Sequence, residues 1–171
     1  MLHELTNIAD RGRVVGTFKL ELFEARLLRS GRDLVALKPF DVIRFNNLGT
    51  NTGMALAEDL LIGAGGTVFS NANAYVGSGD SSTAVSAAHT DLQAAVNKLR
   101  VAMDATFPSR SGQITTFKST FATGQANWLW NEMAVFNASS AGTMLCRALV
   151  GSPFTKTSSL SIAATYTWTV A

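Results

Sequence analysis

Hydrophobic and polar residues alternate with a period of two through much of the chain, most regularly at its C-terminal end. Between positions 160 and 170, Ser, Ala and Thr separate an apolar series of Leu160, Ile162, Ala164, Tyr166, Trp168 and Val170. Alternation of this kind, rich in β-branched and aromatic residues, is typical of strands with one buried face. Similar runs predict further strands over 13–28, 34–45, 98–107, 114–121, 128–136 and 143–150.

One segment follows helical spacing instead. Its apolar residues are Met54, Leu56, Ala57, Leu60 and Leu61. Thr50 or Asn51 can cap the start, and Gly63 can end the helix. The pattern therefore predicts an α-helix over about 51–62. The first two strands read as a long hairpin over 13–45, with Pro39 marking an edge or a bulge in its second strand.

These elements predict a mainly β protein. Turn signals at regular spacing favour an antiparallel β-sandwich or jelly-roll-like fold with one embedded helix. We expect an N-terminal arm over 1–12 and a single domain over 13–171. Within the arm, Leu2, Leu5 and Ile8 lie three residues apart, so the arm is either one helical turn or a segment that orders on a neighbour.

The composition is poor in charge. Charged residues make up 15% of the chain, against roughly 25% in typical soluble domains. The final sixty-one residues carry only Lys118, Glu132, Arg147 and Lys156, together with eight of the fifteen aromatic residues. The formal net charge of +2 is too small to indicate a nucleic-acid partner. A surface so poor in charge suits a protein that packs against neighbouring copies.

Neither a leader peptide nor a membrane span is expected. The N-terminus lacks a basic start followed by an apolar stretch, and the longest uncharged window, around 60–79, is broken by Gly and Asn. Cys146 is the single cysteine, which excludes an internal disulfide and a cysteine metal cluster. With only two histidines, far apart, a transition-metal site has no support. We expect a soluble protein made in the cytoplasm.

Several segments resemble functional motifs only superficially. The glycines of 63–66 follow the predicted helix rather than opening one, so a helix stop is expected instead of a nucleotide loop. In the polar loop 77–83, Asp80 is the single carboxylate, which is too few for a calcium loop. His89 and Asp91 follow Ser81 and Ser82, but an ordinary loop histidine is expected in preference to a hydrolase triad.

Two further features also have simple structural interpretations. Asn137-Ala138-Ser139 matches a glycosylation acceptor, yet it reads as a plain loop. Trp128 and Trp130 share a strand face, as do Phe117 and Phe121, which predicts a hydrophobic core, with a subunit interface or ligand surface as alternatives. No catalytic, cofactor-binding or metal-binding residue is predicted, and no enzymatic activity is expected.

Two blocks of sequence carry a family resemblance. The first comprises 60–69, 73–83 and 89–94, and the second comprises 117–121, 127–137 and 142–147. They resemble small virion structural proteins of tailed bacteriophages, and the Asn-Trp-Leu-Trp-Asn-Glu stretch of 127–132 is the most distinctive part. The likeness covers roughly 34–150, while 1–30 match no family. The resemblance implies a virion component without enzymatic activity.

The predicted function is therefore that of a capsid decoration (cement) protein located in the virion. It would bind the major capsid protein or other virion subunits, as a homo-oligomer with a trimer favoured, without nucleic acid, membrane or cofactor. The alternative is a tail fibre, baseplate or receptor-binding component. A hydrolase using Ser82 or His89 is a third possibility, and it is not favoured. Candidate subunit contacts lie in the arm and hairpin: Leu2, Leu5, Ile8, Phe18, Leu20 and Leu22.

Overall fold

A computed structural model of the chain describes residues 14–25 and 38–170. Ten strands and one helix are found in these ranges. In chain order they are β1 Val14–Glu24, β2 Asp41–Asn46, β3 Leu48–Gly49, α1 Asn51–Ile62, β4 Tyr75–Gly79, β5 Lys98–Ala102, β6 Ser109–Ser111, β7 Ile114–Phe121, β8 Leu129–Phe136, β9 Met144–Thr155 and β10 Leu160–Val170.

The strands form two five-stranded antiparallel sheets. Sheet A has the order β2-β1-β10-β7-β6, and sheet B has the order β3-β9-β8-β4-β5. The predicted antiparallel sandwich with one helix at 51–62 is confirmed. Strand β1 pairs with β2 and also, along its whole length, with the C-terminal strand β10, from Val14 opposite Val170 to Glu24 opposite Leu160.

The main core lies between the two sheets and is rich in aromatic residues. Phe18 stacks on Phe45 at 5.4 Å between ring centroids and also contacts Tyr166 at 4.9 Å. Phe121 of sheet A meets Trp130 of sheet B edge to face at 4.7 Å, which joins the two sheets. The predicted core role of the Trp128–Trp130 and Phe117–Phe121 faces is confirmed, with Trp128 partly buried.

Three predicted subunit contacts lie in this core instead. Phe18, Leu20 and Leu22 are buried within their own chain. Strand β1 pairs with β2 on one side and with β10 on the other, and its apolar face packs in the core with residues of sheet B such as Trp130 and Val135. These three residues are therefore corrected to core positions. Leu2, Leu5 and Ile8 lie outside the described residues.

Helix α1 lies against β9, and the loop of residues 80–97 covers the face of sheet B that carries Glu132 and Arg147. The Thr50 hydroxyl accepts from the Gly53 backbone N–H at 3.0 Å and caps the helix, which ends at the left-handed Gly63. Gly53 packs directly on the backbone of Leu145, so the helix approaches β9 closely. A second apolar cluster lies under the loop: Leu92, Ala134, Phe136 and Met144, with Tyr75 against it.

No helix in the described ranges is long and apolar enough to span a membrane.

Candidate functional site

A buried ion pair lies on the covered face of sheet B. Glu132 of β8 and Arg147 of β9 are both 0% exposed, and the Arg147 Nε donates to Glu132 Oε2 at 2.6 Å. Arg147 is opposite Ala134 in the β8–β9 register, so Glu132 is its diagonal neighbour on the same face. This pair accounts for two of the three buried charges in the charge-poor C-terminal stretch.

The pair also anchors the loop 80–97. The two carboxylate oxygens of Glu132 accept from the backbone N–H groups of Gln93 at 3.0 Å and Ala94 at 2.8 Å. Arg147 donates to the Thr83 carbonyl at 2.8 Å, and its Nη1 lies 3.3 Å from His89 Nδ1. Because the charged groups are hydrogen-bonded on several sides, their burial is compensated. The ion pair thus fixes an eighteen-residue loop to the sheet.

The structure does not join His89 and Asp91 into a catalytic arrangement. Both oxygens of Asp91 are bound by cations of β5, Lys98 at 2.8 Å and Arg100 at 2.8 Å. Partial burial tends to raise the pKa of the Asp91 carboxyl, but hydrogen bonds from Lys98, Arg100 and the Leu92 N–H outweigh it and hold that pKa below its usual value. His89 contacts Arg147 instead.

A cleft of about 300 Å³ opens beside this charge cluster, and we call it the charged cleft. Arg100 lies over the Phe136 ring at 3.5 Å and donates to the carbonyls of Ala138 and Ala141 at 3.0 and 2.7 Å. The guanidinium is therefore occupied by Asp91, two carbonyls and an aromatic face. The cations of the charged cleft already have protein partners.

A second cleft, of about 380 Å³, lies on the other side of the 137–143 loop, and we call it the neutral cleft. None of its lining residues is charged: Leu56, Gly66, Thr67, Ala72, Asn73, Tyr75, Asn137, Ala138, Ser139, Gly142 and Thr143. Asn137 is buried, donates to the Thr67 carbonyl at 2.8 Å and accepts from the Thr143 N–H at 2.6 Å. Its carboxamide is held at both ends, which supports a structural role over glycosylation.

An exposed apolar segment borders the neutral cleft. Every residue from 61 to 68 is exposed, and the segment contains no charge and no aromatic ring. Leu61 is 85% exposed and Ile62 is 78% exposed. Gly63, Gly65 and Gly66 all have positive φ, which confirms the predicted helix stop and turn. We call residues 61–68 the apolar segment.

Other side chains that could take part in chemistry also make contacts within the fold. Cys146 is buried in the core, and desolvation raises the pKa of its thiol to about 12, so it is inert as a nucleophile. Among residues 14–25 and 38–170, no three or more His, Cys, Asp or Glu side chains come together as a metal site. The predicted polar loop 77–83 is wrong in its first part, because residues 77–79 belong to β4. In the remainder, Asp80 accepts from the Asn97 amide at 2.7 Å and Ser81 bonds Thr83 at 2.9 Å.

Lys156 is a further buried cation. Its Nζ donates to Asn127 Oδ1 at 2.8 Å and to the Thr123 carbonyl at 3.3 Å, which ties the turn before β8 to the end of β9. Burial lowers the pKa of Lys156 to about 8, because the charged form is desolvated. No carboxylate in the described part of the chain pairs with this ammonium within ion-pair distance.

Sequence reasoning missed the inward position of Glu132, Arg147 and Lys156, and it missed both clefts. One signal was available for Arg147 and Glu132, since each is the lone charge in a strand in which most residues are apolar. The clefts depend on how three loops that are distant in the sequence meet in space. The spacing of residues along the chain does not indicate this. In comparisons with known proteins, no family model matches the chain, and no curated protein matches it at a significant level.

Proposed function

We propose that this chain is a non-catalytic structural protein of a phage virion, and specifically a capsid decoration protein. The observation that carries the proposal is the apolar segment, which leaves the adjacent residues Leu61 and Ile62 mostly in solvent. Exposed apolar residues next to one another on a folded domain mark contact surfaces. The partner in this proposal is the major capsid protein or another virion subunit.

The energetics of such a contact are favourable. Burying a Leu or Ile side chain contributes about 1.5–3 kcal/mol, so Leu61 and Ile62 together supply about 3–6 kcal/mol. Each 1.4 kcal/mol changes a binding constant about tenfold. This pair alone therefore changes affinity by about two to four orders of magnitude. In an oligomer, several copies binding together would increase the overall affinity further through avidity.

The arrangement of polar groups also supports a structural role. The buried charges Glu132, Arg147 and Lys156 bind loops to the sheets, and Asp91 is neutralised by Lys98 and Arg100. Each of these charged groups is therefore committed to contacts within the fold. A protein that stiffens a shell needs such a scaffold more than it needs a reactive group.

Particle binding by purified protein tests the proposal. Particles made without the protein are mixed with the wild type or with the double variant Leu61→Asp, Ile62→Asp, and bound protein is measured after sedimentation. The matched control is Val96→Asp, because Val96 is also 85% exposed but lies in the loop 80–97. We expect the double variant to lose at least about a hundredfold in affinity and the control to bind normally.

Wild-type protein that fails to bind such particles would contradict the proposal. So would a double variant that binds as well as Val96→Asp while all three proteins show the same thermal midpoint.

A tail component is the second candidate, and the neutral cleft is the observation that favours it. A receptor-binding tail protein needs a surface site for a host ligand, and such a cleft is present. Copy number separates the two: a decoration protein is present in hundreds of copies per particle, whereas a tail-tip protein is present in a handful.

A further inference from the structure

The two clefts beside the 137–143 loop differ in how their polar groups are used. In the charged cleft, Lys98 and Arg100 both bind Asp91. In the neutral cleft, the lining side chains with no hydrogen-bond partner in the described ranges are Thr67, Asn73, Tyr75, Ser139 and Thr143. Four hydroxyls and one carboxamide therefore face a common space without a protein partner.

The walls of the neutral cleft limit the chemistry of a ligand. Because no charged residue lines the cleft, an ionic ligand would lose hydration without gaining a counter-ion. Hydroxyl and carboxamide groups each donate and accept, so they match a ligand that also carries several hydroxyls. Leu56, Ala72 and the Tyr75 ring add apolar surface, and the volume of about 380 Å³ lies within the range of small-ligand sites.

The cleft is built from fixed elements. Tyr75 belongs to β4, pairs with Phe136 of β8 and packs against the second apolar cluster. The Asn137 side chain hydrogen-bonds the backbone of both Thr67 and Thr143 and so connects the two segments that carry them. A Cβ at Gly66 would collide with Leu56, so these two lining residues are in close contact. A preformed site needs little reorganisation to bind a ligand.

We propose that the neutral cleft binds a neutral saccharide, with Asn73, Thr67 and Thr143 hydrogen-bonding the sugar hydroxyls and Tyr75 providing an apolar wall. An open cleft that takes one sugar unit binds it with a dissociation constant on the order of 1 mM. Several copies on one particle would raise the effective affinity for a polymer of such sugars. This property goes beyond a structural role in the virion.

The test is an amide chemical-shift titration of the isolated, isotope-labelled protein. The probes are glucose, galactose, mannose and N-acetylglucosamine, each raised to tens of millimolar, with glycerol and glucuronic acid as comparisons. We expect at least one neutral sugar to shift the amides of Thr67, Asn73, Tyr75 and Thr143 saturably. Glycerol and glucuronic acid are expected to leave them unchanged.

Two variants test the residues, and a third is the matched control. Asn73→Ala and Thr143→Val remove side-chain groups that make no bond within the described protein, so the fold is retained, and each is expected to weaken binding at least about tenfold. Ser140→Ala lies on the same loop but lines only the charged cleft, so it is expected to bind normally. Thermal midpoints verify folding.

The proposal is overturned if no neutral sugar in the panel shifts these amides, if the shifts lie elsewhere, or if glycerol produces the same response. Sugar binding that is unchanged in Asn73→Ala and Thr143→Val would also overturn it. Because the titration uses isolated protein, its outcome is independent of whether the chain binds a capsid.

Discussion

Replacing Arg147 by Met tests whether the buried ion pair holds the loop 80–97 on the sandwich. Arg147 contacts Glu132, the Thr83 carbonyl and His89, and it is fully buried. Removing one partner of a buried pair costs about 3–5 kcal/mol, because the other charge stays buried without compensation. Here Glu132 would keep only the Gln93 and Ala94 N–H donors.

The expected loss is large enough to measure in two ways. For a chain of this size, about 1 kcal/mol shifts the midpoint of thermal unfolding by about 2–4 °C, so Arg147→Met should lower it by about 6–20 °C. Amide hydrogen exchange provides the local readout. The Gln93 and Ala94 amides, which donate to Glu132, should lose protection before the strand amides of β8 do.

An exposed ion pair on sheet A provides the control. Lys19 and Glu21 are 3.0 Å apart, and both are partly in solvent. Surface pairs of this kind contribute about 0–1 kcal/mol, so Lys19→Met should change the free energy of unfolding by less than about 1 kcal/mol. If Arg147→Met costs no more than Lys19→Met, or leaves the Gln93 and Ala94 amides protected, the ion pair does not anchor the loop.

Three further predictions concern stability and reactivity. Because the pKa of Lys156 is about 8 in the folded protein and 10.5 when exposed, the unfolded chain binds more protons at this site between these values, so the contribution of Lys156 to stability should rise with pH from about 8 to 10.5. Guanidinium titrations of the wild type and Lys156→Met isolate this contribution, because burial raises the pKa of Cys146 and of Tyr166 in both proteins and lowers their stability above about pH 9 to the same extent. The difference in free energy of unfolding between the two proteins should rise over this range, and a constant difference would contradict the assignment. Cys146, whose thiol pKa is raised to about 12, should react with a thiol reagent at pH 8 only after denaturation, and rapid native labelling would contradict its burial. Gly53→Ala should destabilise the protein by about 1–3 kcal/mol in chemical denaturation, because its Cβ would lie 2.6 Å from Leu145 backbone atoms. Gly124→Ala, which meets nothing within 4 Å, is its control and should be nearly neutral.

The fold was largely predictable because its strands follow period-two alternation. The run from Leu160 to Val170 is a strand at those bounds, and the helix over 51–62 has the predicted Thr50 cap and Gly63 stop. The apolar face of β1 was misread, since Phe18, Leu20 and Leu22 have the same pattern whether they face the other sheet or a neighbour. Only the packing of sheet A on sheet B, which brings together residues that are distant in the sequence, decides between them.

The site was less predictable, for a physical reason. A charge within a strand pattern ordinarily indicates a solvent-facing position, yet Glu132 and Arg147 face a loop that covers the sheet. Whether a loop of small and polar residues such as 80–97 lies on a sheet or extends into solvent depends on tertiary hydrogen bonds. The clefts depend in turn on the placement of that loop and of 63–73.

Copies per particle, counted by quantitative mass spectrometry of purified virions that encode this chain, test the central proposal most directly. A capsid decoration protein should be present in hundreds of copies, in a fixed ratio to the major capsid protein. A handful of copies would contradict decoration and indicate the tail tip or a fibre, and complete absence from the virion would contradict a structural role in the particle.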